Sequence, residues 1–515
     1  MRKRLSANLG LRMTLPVLAS LAAMHRAAAA DPIALDPANL PRIATVDERF
    51  QSYNIEMVEV TGGPFWRPYG RPESAGAAQR LPDAYATYRA IELKNPRLRR
   101  LAAALSPAYL RVSGTWANAT YFADQDTAPS KPPAGFNGVL TRPQWRGVVD
   151  FAGAVGAAIV TSFAASPGTR DVRGQWTPEQ ARSLVSFTQS IGGEIAAAEF
   201  LNEPDLKSGA GIEADAAAFR RDFSTFHTFM RKMAPRTVLL GPGTIGTDAT
   251  AADMFTAVAD GIDAVSYHHY GAVSERCGGR RTPELALSEE WLAQTDEAIA
   301  FYLRLRDQLA PGRAIWLTET AEAACGGNRW AATFLDTFRY LDQLGRLAKA
   351  GVAVVMHNTL AASDYGLLDW QTFLPRPSYF GALLWRRLMG ATVLESGVPI
   401  RNGLHVYAHC GRGLAGAVTL LVINNDRTAS RELILPSPSE RYTLAAAKTA
   451  DQTTATTAAN LASATASLNG RVLATGDEHE LPPLQGTLMA AGTIAFAPAT
   501  ITFLSIAGAG NRDCS

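Results

Sequence analysis

Two glutamates stand where apolar runs end, and together they could perform acid–base and nucleophilic chemistry. Glu203 lies in Asn202-Glu203-Pro204, and Pro204 predicts that a strand ends there with Glu203 in an extended conformation. Glu319 closes a second run that begins at Trp316. Cleaving a glycosidic bond requires one protonated carboxyl group beside one ionised carboxylate. The glutamates could form this pair if the fold brings the two strand ends together.

Eight short apolar or β-branched runs alternate with helical patterns and predict a (β/α)8 TIM barrel, whose catalytic groups lie at the carboxyl ends of the strands. A doubly wound sheet is the alternative, but the turn at residues 61–66 lacks the glycine pattern of a nucleotide site. The eight predicted strands are Tyr53–Val58, Ala108–Gly114, Ala157–Ala165, Ala196–Glu203, Thr237–Gly243, Ala264–Tyr270, Ala314–Thr320 and Val352–Leu360.

The sequence changes character after the predicted barrel. Runs such as Leu404–Cys410 and Ile501–Ile506 show strand patterns without a helical period, and Asn469-Gly470 predicts a hairpin turn. We therefore predict an all-β sandwich domain formed by residues 31–47 and 389–515, beside a catalytic barrel at 48–388.

The first 30 residues have the form of a cleavable secretory signal peptide, with basic residues, a short apolar stretch and small residues before Asp31. This predicts a secreted or periplasmic protein without a membrane anchor. Removing residues 1–30, which contain five Lys or Arg and no acid, changes the formal net charge from +2 to −3. A general nucleic-acid binder would be basic, so we predict no nucleic-acid partner.

Competing chemistries fit less well. His268 and His269 are adjacent in a predicted strand, so their side chains would point to opposite faces and would not chelate one ion together. The chain lacks a Gly-x-Ser-x-Gly elbow for a serine hydrolase. We predict neither a metal nor a cofactor.

Several segments, in this order along the chain, resemble the heparanase and β-glucuronidase family, glycoside hydrolase family 79. These segments are residues 101–115, Phe200–Pro204, Ser266–Tyr270, Trp316–Thr320, Gly326-Gly327, Val355-Met356, Asp364–Asp369, Leu404–Cys410, Leu468–Gly470 and Leu481–Leu484. The resemblance covers nearly all of the chain after residue 30.

The resemblance implies a retaining hydrolase of β-glucuronosyl linkages. Glu203 would be the acid/base and Glu319 the nucleophile. The other implied site residues bind or surround the sugar: Asn202 at its 2-hydroxyl, Tyr270 orienting Glu319, His268 in the same pocket, Gly326, Gly327 and Tyr365 holding the uronate carboxylate, and Glu56 and Thr115 at sugar-contacting positions.

The four cysteines are expected to be structural. Cys410 and Cys514 match cysteines that pair in heparanase, and Cys277 and Cys325 lie in neighbouring loops that a disulfide could join. The family's tyrosine before the two glycines is replaced here by Ala324-Cys325. The chain also lacks a long linker between Tyr121 and Trp145, so we expect a single-chain enzyme.

The expected activity is heparanase-like endo-β-glucuronidase action on uronate-containing glycans such as heparan sulfate. The alternatives are an exo-acting β-glucuronidase and a glycan-binding protein without activity. Arg276, Arg280 and Arg281 could line the barrel mouth and contact sulfated chains. The Phe65–Tyr69 loop could form an aromatic platform beside the site, or could fold on its own aromatic rings. The sequence makes no prediction about oligomeric state.

Overall fold

The computed structural model describes residues 32–69, 84–125, 127, 129–206, 215–447, 461–475 and 480–514. Within these residues there are 24 strands and ten α-helices, numbered in chain order. The predicted signal peptide lies outside the described residues.

A closed barrel of eight parallel strands forms the first part of the molecule, as predicted. Each predicted strand is present, although strand ends differ by several residues. The largest difference relevant to chemistry is at the fourth strand, which ends at Glu199 and not at Glu203. The barrel strands are β3 (Gln51–Glu56), β6 (Ala108–Ser113), β9 (Ala157–Thr161), β10 (Ile195–Glu199), β11 (Val238–Thr244), β12 (Ala264–Tyr270), β13 (Ile315–Ala321) and β14 (Val354–His357).

Several helices around the barrel, such as those at residues 142–155 and 216–233, bury one apolar face. In the second of these, Phe226 is buried and packs on Phe200, with 5.2 Å between the ring centroids. This contact anchors the chain just before Asn202 and Glu203. The helices are α1 (Met57–Thr61), α2 (Pro96–Ala103), α3 (Arg142–Val155), α4 (Glu179–Ser190), α5 (Ala216–Met233), α6 (Ala249–Val258), α7 (Glu289–Leu292), α8 (Gln294–Leu309), α9 (Phe334–Lys349) and α10 (Pro377–Leu388).

The C-terminal part is antiparallel, and two N-terminal strands join it. Arg42–Thr45 pairs with Met389–Leu394, and Ile33–Ala34 pairs with Arg431–Leu435. A separate apolar core lies between the two sheets of this sandwich. The strands outside the barrel are β1 (Ile33–Ala34), β2 (Arg42–Thr45), β4 (Gly63–Trp66), β5 (Tyr85–Tyr88), β7 (Thr120–Ala123), β8 (Gly138–Thr141), β15 (Met389–Leu394), β16 (His405–Gly411), β17 (Val418–Asn424), β18 (Arg431–Leu435), β19 (Ser439–Ala446), β20 (Ala466–Leu468), β21 (Arg471–Val472), β22 (Thr487–Met489), β23 (Gly492–Phe496) and β24 (Thr500–Ile506).

The predicted Asn469-Gly470 hairpin is present between β20 and β21. Both residues have positive φ, +49° and +82°, as the two central positions of a type I′ turn require. Both predicted disulfides are also present: Cys410–Cys514 joins β16 to the C-terminal segment, and Cys277–Cys325 joins the loops after β12 and β13.

A buried ionic cluster joins the barrel helices to the sandwich. His405 on β16 forms ion pairs with Asp342 of α9 and Glu289 of α7, and Tyr407 donates a hydrogen bond of 2.6 Å to the same Asp342. Burial alone would lower the pKa of His405, but Asp342 outweighs it and raises that pKa to about 9. The imidazolium therefore links the two parts of the chain at neutral pH.

Replacing His405 with glutamine is expected to lower the free energy of unfolding by about 3 kcal/mol at pH 6, because the folded pKa of about 9 lies above the ordinary 6.5. A raised folded pKa gives stabilisation that is complete below the ordinary value and is lost as pH rises through about 9. Denaturant unfolding should therefore show that the difference in free energy of unfolding between wild type and His405→Gln is smaller at pH 10 than at pH 6. His409→Gln is the control, because burial keeps His409 neutral and its effect should not vary over this range.

Candidate active site

The structure brings Glu203 and Glu319 together at the carboxyl end of the barrel. Glu319 is on β13, and Glu203 lies four residues beyond the end of β10. A carboxylate oxygen of one lies within 4.8 Å of a carboxylate oxygen of the other, and each side chain is only 7% exposed. Two carboxyl groups at this separation in a nearly dry site are suited to dividing the roles of acid and nucleophile.

The backbone at Glu203 is left-handed, with φ +50°, so the prediction of an extended residue is wrong. Pro204 disfavours the right-handed helical region for the residue before it, and in the turn after β10 Glu203 adopts the left-handed region instead of the extended one. Asn118 holds this turn through two hydrogen bonds of 2.8 Å. The Asn202 N–H donates to the Asn118 Oδ1, and the Asn118 Nδ2 donates to the Asn202 carbonyl. The Glu203 N–H donates to the Gly243 carbonyl at 3.2 Å. These bonds offset about 1–3 kcal/mol of backbone strain.

Burial and charge both act on the acid/base candidate. Burial raises the pKa of Glu203, and the nearby Glu319 charge raises it further, while a hydrogen bond from His268 lowers it. The His268 Nδ1 lies 3.0 Å from the Glu203 carboxylate, and the Nε2 lies 3.2 Å from an Arg111 nitrogen that can only donate. In neutral His268 the proton therefore resides on Nδ1 and faces Glu203. The net result is a carboxyl group that keeps its proton above the usual pH.

Both oxygens of Glu319 are held by donors. The Tyr270 hydroxyl donates to Oε1 at 2.7 Å, and Arg111 donates to Oε2 at 2.8 Å. The two bonds fix the orientation of the carboxylate, and the one from the arginine is charge-assisted. Tyr270 thus contacts Glu319, which the family resemblance expected it to orient, and His268, expected only to line the same pocket, contacts Glu203.

Arg111 on β6 was not predicted as a site residue. Its guanidinium is fully buried, donates to Glu199 at 2.8 and 3.0 Å, and donates to the Asn202 Oδ1 at 2.7 Å. Burial would raise the pKa of Glu199, but Arg111 outweighs it, so that pKa is lowered. An arginine within an otherwise apolar strand, Tyr109-Leu110-Arg111-Val112, was the available signal. Such a charge must find buried partners.

The two polar atoms of the Asn202 side-chain amide differ in their surroundings. Its Oδ1 accepts from Arg111, which fixes the amide orientation. Its Nδ2 is buried and has no protein partner within the described residues. A buried donor without a partner is costly, so this N–H₂ is placed to donate to a bound ligand.

A second group of polar side chains lines the mouth between β3 and β14. The Asn358 Nδ2 lies 3.0 Å from a Glu56 oxygen, 2.9 Å from the Tyr270 hydroxyl and 3.4 Å from the Tyr365 hydroxyl. Burial raises the pKa of Glu56 well above its ordinary value, and Glu319 adds to the effect. Asn358 was also missed by the sequence analysis, and it joins three residues that were predicted.

Thr115 begins a 3-10 helix directly after Gly114, which has φ +88°. A Cβ on Gly114 would come 1.5 Å from the Glu56 Oε2, so only glycine allows the Glu56 carboxyl group to lie over this backbone. The structure thus places Thr115 beside Glu56, at the same side of the mouth.

Gly326 and Gly327 form a turn that approaches Tyr365. Both have positive φ, +85° and +83°, and a Cβ on Gly326 would come 2.4 Å from the Ser363 Oγ. The Gly327 N–H donates to the Ala323 carbonyl at 3.1 Å. A ligand carboxylate at this turn would therefore share the Gly327 N–H with Ala323.

Glu203, His268 and Glu319 also offer three possible metal-ligand atoms within 4.8 Å of one another. The donor set of one imidazole and two carboxylates is chemically compatible with a divalent ion. However, the Arg111 guanidinium already compensates Glu319 and lies against His268, so a second cation would meet its repulsion. The arrangement fits proton transfer better than metal binding.

One prediction about the mouth loops is corrected. Arg276 is buried and forms an ion pair of 2.8 Å with Asp364, so it is not available to a sulfated chain, while Arg281 is paired with Glu290. Arg280 is exposed. In the Phe65–Tyr69 loop, the rings of Phe65 and Tyr69 are buried against residues outside the loop, Phe65 against Tyr88 and Trp116 and Tyr69 against Arg276.

A closed parallel barrel, a C-terminal β-sandwich and two adjacent buried glutamates at the barrel mouth define a glycoside hydrolase. The chain belongs to glycosyl hydrolase family 79, because the model of this family's N-terminal domain matches residues 72–345. The resemblance inferred from the motifs is confirmed.

Curated relatives agree with this assignment, and a solved structure shares the fold. Heparanase of Mus musculus is 30% identical over 471 residues, covering 79% of this chain and 84% of that protein. Baicalin-beta-D-glucuronidase of Scutellaria baicalensis is 36% identical over 121 residues, 23% of each chain. The 4-O-alpha-L-rhamnosyl-beta-D-glucuronidase structure of Fusarium oxysporum shares the fold, with a TM-score of 0.62, 16% identity and coverage of 92% of this chain and 99% of that one.

The protein is therefore a heparanase-like glycoside hydrolase. None of the described helices combines the length and the apolar character that crossing a bilayer requires.

Proposed function

We propose that the protein hydrolyses β-glucuronosyl linkages with retention of configuration, with Glu203 as acid/base and Glu319 as nucleophile. The observation that supports this most directly is the approach of their carboxylate oxygens to within 4.8 Å. Retaining enzymes place the two groups about 5–5.5 Å apart, whereas inverting enzymes leave a wider gap for a water molecule.

The proposed reaction has two steps. In the first, Glu319 attacks the anomeric carbon while Glu203 gives its proton to the glycosidic oxygen, which leaves with the aglycone. In the second, Glu203 takes a proton from water, and the hydroxyl group replaces the ester bond to Glu319. Arg111 and Tyr270 hold the Glu319 carboxylate in a fixed orientation. The Asn202 Nδ2 would donate to the sugar 2-hydroxyl, a bond that strengthens in the oxocarbenium-like transition state.

The proposed substrate is a glucuronide, because the relatives' names include heparanase and a glucuronidase. The uronate carboxylate would lie near Gly326, Gly327 and Tyr365, and Glu56 and Thr115 would contact the ring hydroxyls. The family resemblance favours internal cleavage of polymers such as heparan sulfate, and hydrolysis of terminal glucuronate is the alternative.

Export is also part of the proposal. Two disulfides persist in an oxidising compartment, which agrees with the signal peptide predicted at residues 1–30. The division into a barrel at 48–388 and a sandwich formed by 31–47 with 389–515 stays a prediction.

The direct test compares p-nitrophenyl β-glucuronide with the matched β-glucoside and β-galactoside, and follows the anomer released by proton NMR. We expect turnover of the glucuronide only, with the β-anomer appearing first. A glycan-binding protein without activity would hydrolyse none of the three. Initial release of the α-anomer would contradict the retaining mechanism.

The pH dependence should report Glu203. Hydrolysis of an alkyl β-glucuronide needs the proton of this acid, so kcat/KM should fall as pH rises through its pKa, above the ordinary 4.5 because burial raises that pKa. In His268→Phe, loss of a hydrogen bond that lowers the pKa of Glu203 should move this alkaline limb to higher pH. An unchanged limb in this variant would exclude Glu203 as the titrating acid.

A further inference from the structure

A buried cluster of contacts among the mouth loops, here called the lock, is formed by Arg276, Tyr69 and Asp364. The Arg276 guanidinium has no exposed surface, lies 3.9 Å from the centroid of the Tyr69 ring, and donates to Asp364 at 2.8 Å and to the Arg67 carbonyl. The Arg276 backbone N–H donates to the Tyr69 hydroxyl at 3.0 Å. The Tyr69 N–H in turn donates to Asp364 at 3.2 Å. The lock therefore joins the segments that follow three barrel strands, β3, β12 and β14.

The segment after β13 is tied to the same unit. The disulfide Cys277–Cys325 links it to the residue next to Arg276, and the Ser274 N–H donates to the Ala324 carbonyl at 3.1 Å. The segment after β13 is also joined to the segment after β14, because the Asp364 N–H donates to the Gly326 carbonyl at 3.1 Å. Residues 63–69, 271–279, 322–328 and 358–366 thus form one connected structure, the tied wall.

The part of the tied wall that follows β14 lies across the barrel from Glu203. In the closed order of strands, β10, which precedes Glu203, is the fourth strand, and β14 is the eighth and directly opposite. The leaving group must lie on the Glu203 side, because the acid protonates the glycosidic oxygen. In a pyranose, C4 is across the ring from the anomeric carbon. The 4-hydroxyl of the bound sugar therefore points toward the tied wall.

We propose that the tied wall closes the end of the site beyond the 4-hydroxyl, so that the substrate is a chain-terminal glucuronate, and that Arg276 is the positioning residue that holds the wall in place. This inference rests on the proposed hydrolysis of β-glucuronosyl linkages, and it selects the terminal alternative over internal cleavage. A glucuronate inside a polymer carries its next sugar on the side where the wall stands. The low exposure of both catalytic candidates, 7% for each side chain, agrees with a pocket that is closed at one end.

The lock should affect binding more than chemistry. Arg276 contacts neither Glu203 nor Glu319, but through Asp364 it fixes the turn at Gly326, where the uronate carboxylate is proposed to bind. Opening the tied wall would displace this turn, but the hydrogen bonds from Arg111 and Tyr270 to Glu319 would remain. A larger KM with a preserved kcat is the corresponding kinetic result.

The experiment compares wild type, Arg276→Gln and Arg170→Gln on three substrates: p-nitrophenyl β-glucuronide, its 4-O-methyl derivative, and an oligosaccharide of alternating glucuronate and N-acetylglucosamine with a terminal glucuronate. Arg170 is the matched control, because it forms a mostly buried ion pair of 2.8 Å with Asp222 away from the tied wall. Wild type and Arg170→Gln should remove single glucuronate residues and leave the 4-O-methyl derivative intact.

For Arg276→Gln we expect KM for p-nitrophenyl β-glucuronide to rise about tenfold with kcat within about threefold of wild type, and the 4-O-methyl derivative to become a substrate. If this variant does not fold by circular dichroism, Tyr69→Leu, which removes the ring under the guanidinium, decides by the same readouts. Internal cleavage by the wild type, or kinetics like those of Arg170→Gln, would overturn the inference. Absence of turnover of every glucuronide by the wild type would instead refute the proposed function.

Discussion

Replacing Glu319 with glycine is expected to lower kcat for p-nitrophenyl β-glucuronide by about 10⁴-fold or more, because the covalent intermediate can no longer form. Azide should restore turnover by occupying the space of the lost carboxylate and attacking the anomeric carbon directly. The product should then be the α-glucuronosyl azide, with one inversion. Glu203→Gly should behave differently, since Glu319 still forms the ester and azide then attacks it, giving the β-glucuronosyl azide.

The two azide products distinguish the roles of the glutamates, which a loss of rate alone does not. Glu59→Gln is the matched control, because Glu59 is a buried glutamate one helical turn from Glu56 with a pKa raised by burial to about 8. It should retain most of the activity. Wild-type turnover in Glu319→Gly, or the same azide anomer from both variants, would refute the assigned roles.

The barrel and the two glutamates could be predicted because local patterns specify them. Each barrel strand is a short apolar run between helical periods, and a parallel barrel places every strand's carboxyl end at one mouth. Glu319, Tyr270 and His268 lie on strands whose ends were predicted nearly correctly. Glu203 was identified despite an error about its backbone, because its position after the strand sufficed.

The residues that support the site could not be predicted in the same way. Arg111 reaches Glu199 and Glu319 across 88 and 208 residues of sequence, and Asn358 reaches Glu56 across 302. These contacts exist only after the barrel closes. Arg276 was predicted to be exposed because an arginine in a loop usually is. Its burial depends on Tyr69 and Asp364, which are distant in the sequence and contact it only in the folded chain.

Replacing Arg111 with methionine is expected to lower the free energy of unfolding at pH 7 by about 3–5 kcal/mol, because the side chain fits an apolar strand but leaves buried carboxylates without their cation. The carboxylates concerned are Glu199 and Glu319, whose hydrogen bonds to Arg111 measure 2.8 Å. Denaturant unfolding measures the loss. Activity should fall as well, because Glu319 would lose the donor that orients its Oε2.

The pH dependence of this loss separates charge from packing. Arg111 lowers the folded pKa of Glu199, so the stabilisation is present above the ordinary value of 4.5 and is lost as pH falls through the folded value. In Arg111→Met the Glu199 carboxyl group can protonate, and the difference in free energy of unfolding from wild type should shrink toward pH 4. Adding Glu199→Gln should recover part of the stability at pH 7 without restoring activity, since Glu319 still lacks its donor. A loss below about 1 kcal/mol at pH 7, or one independent of pH, would mean that the buried arginine contributes shape and not charge.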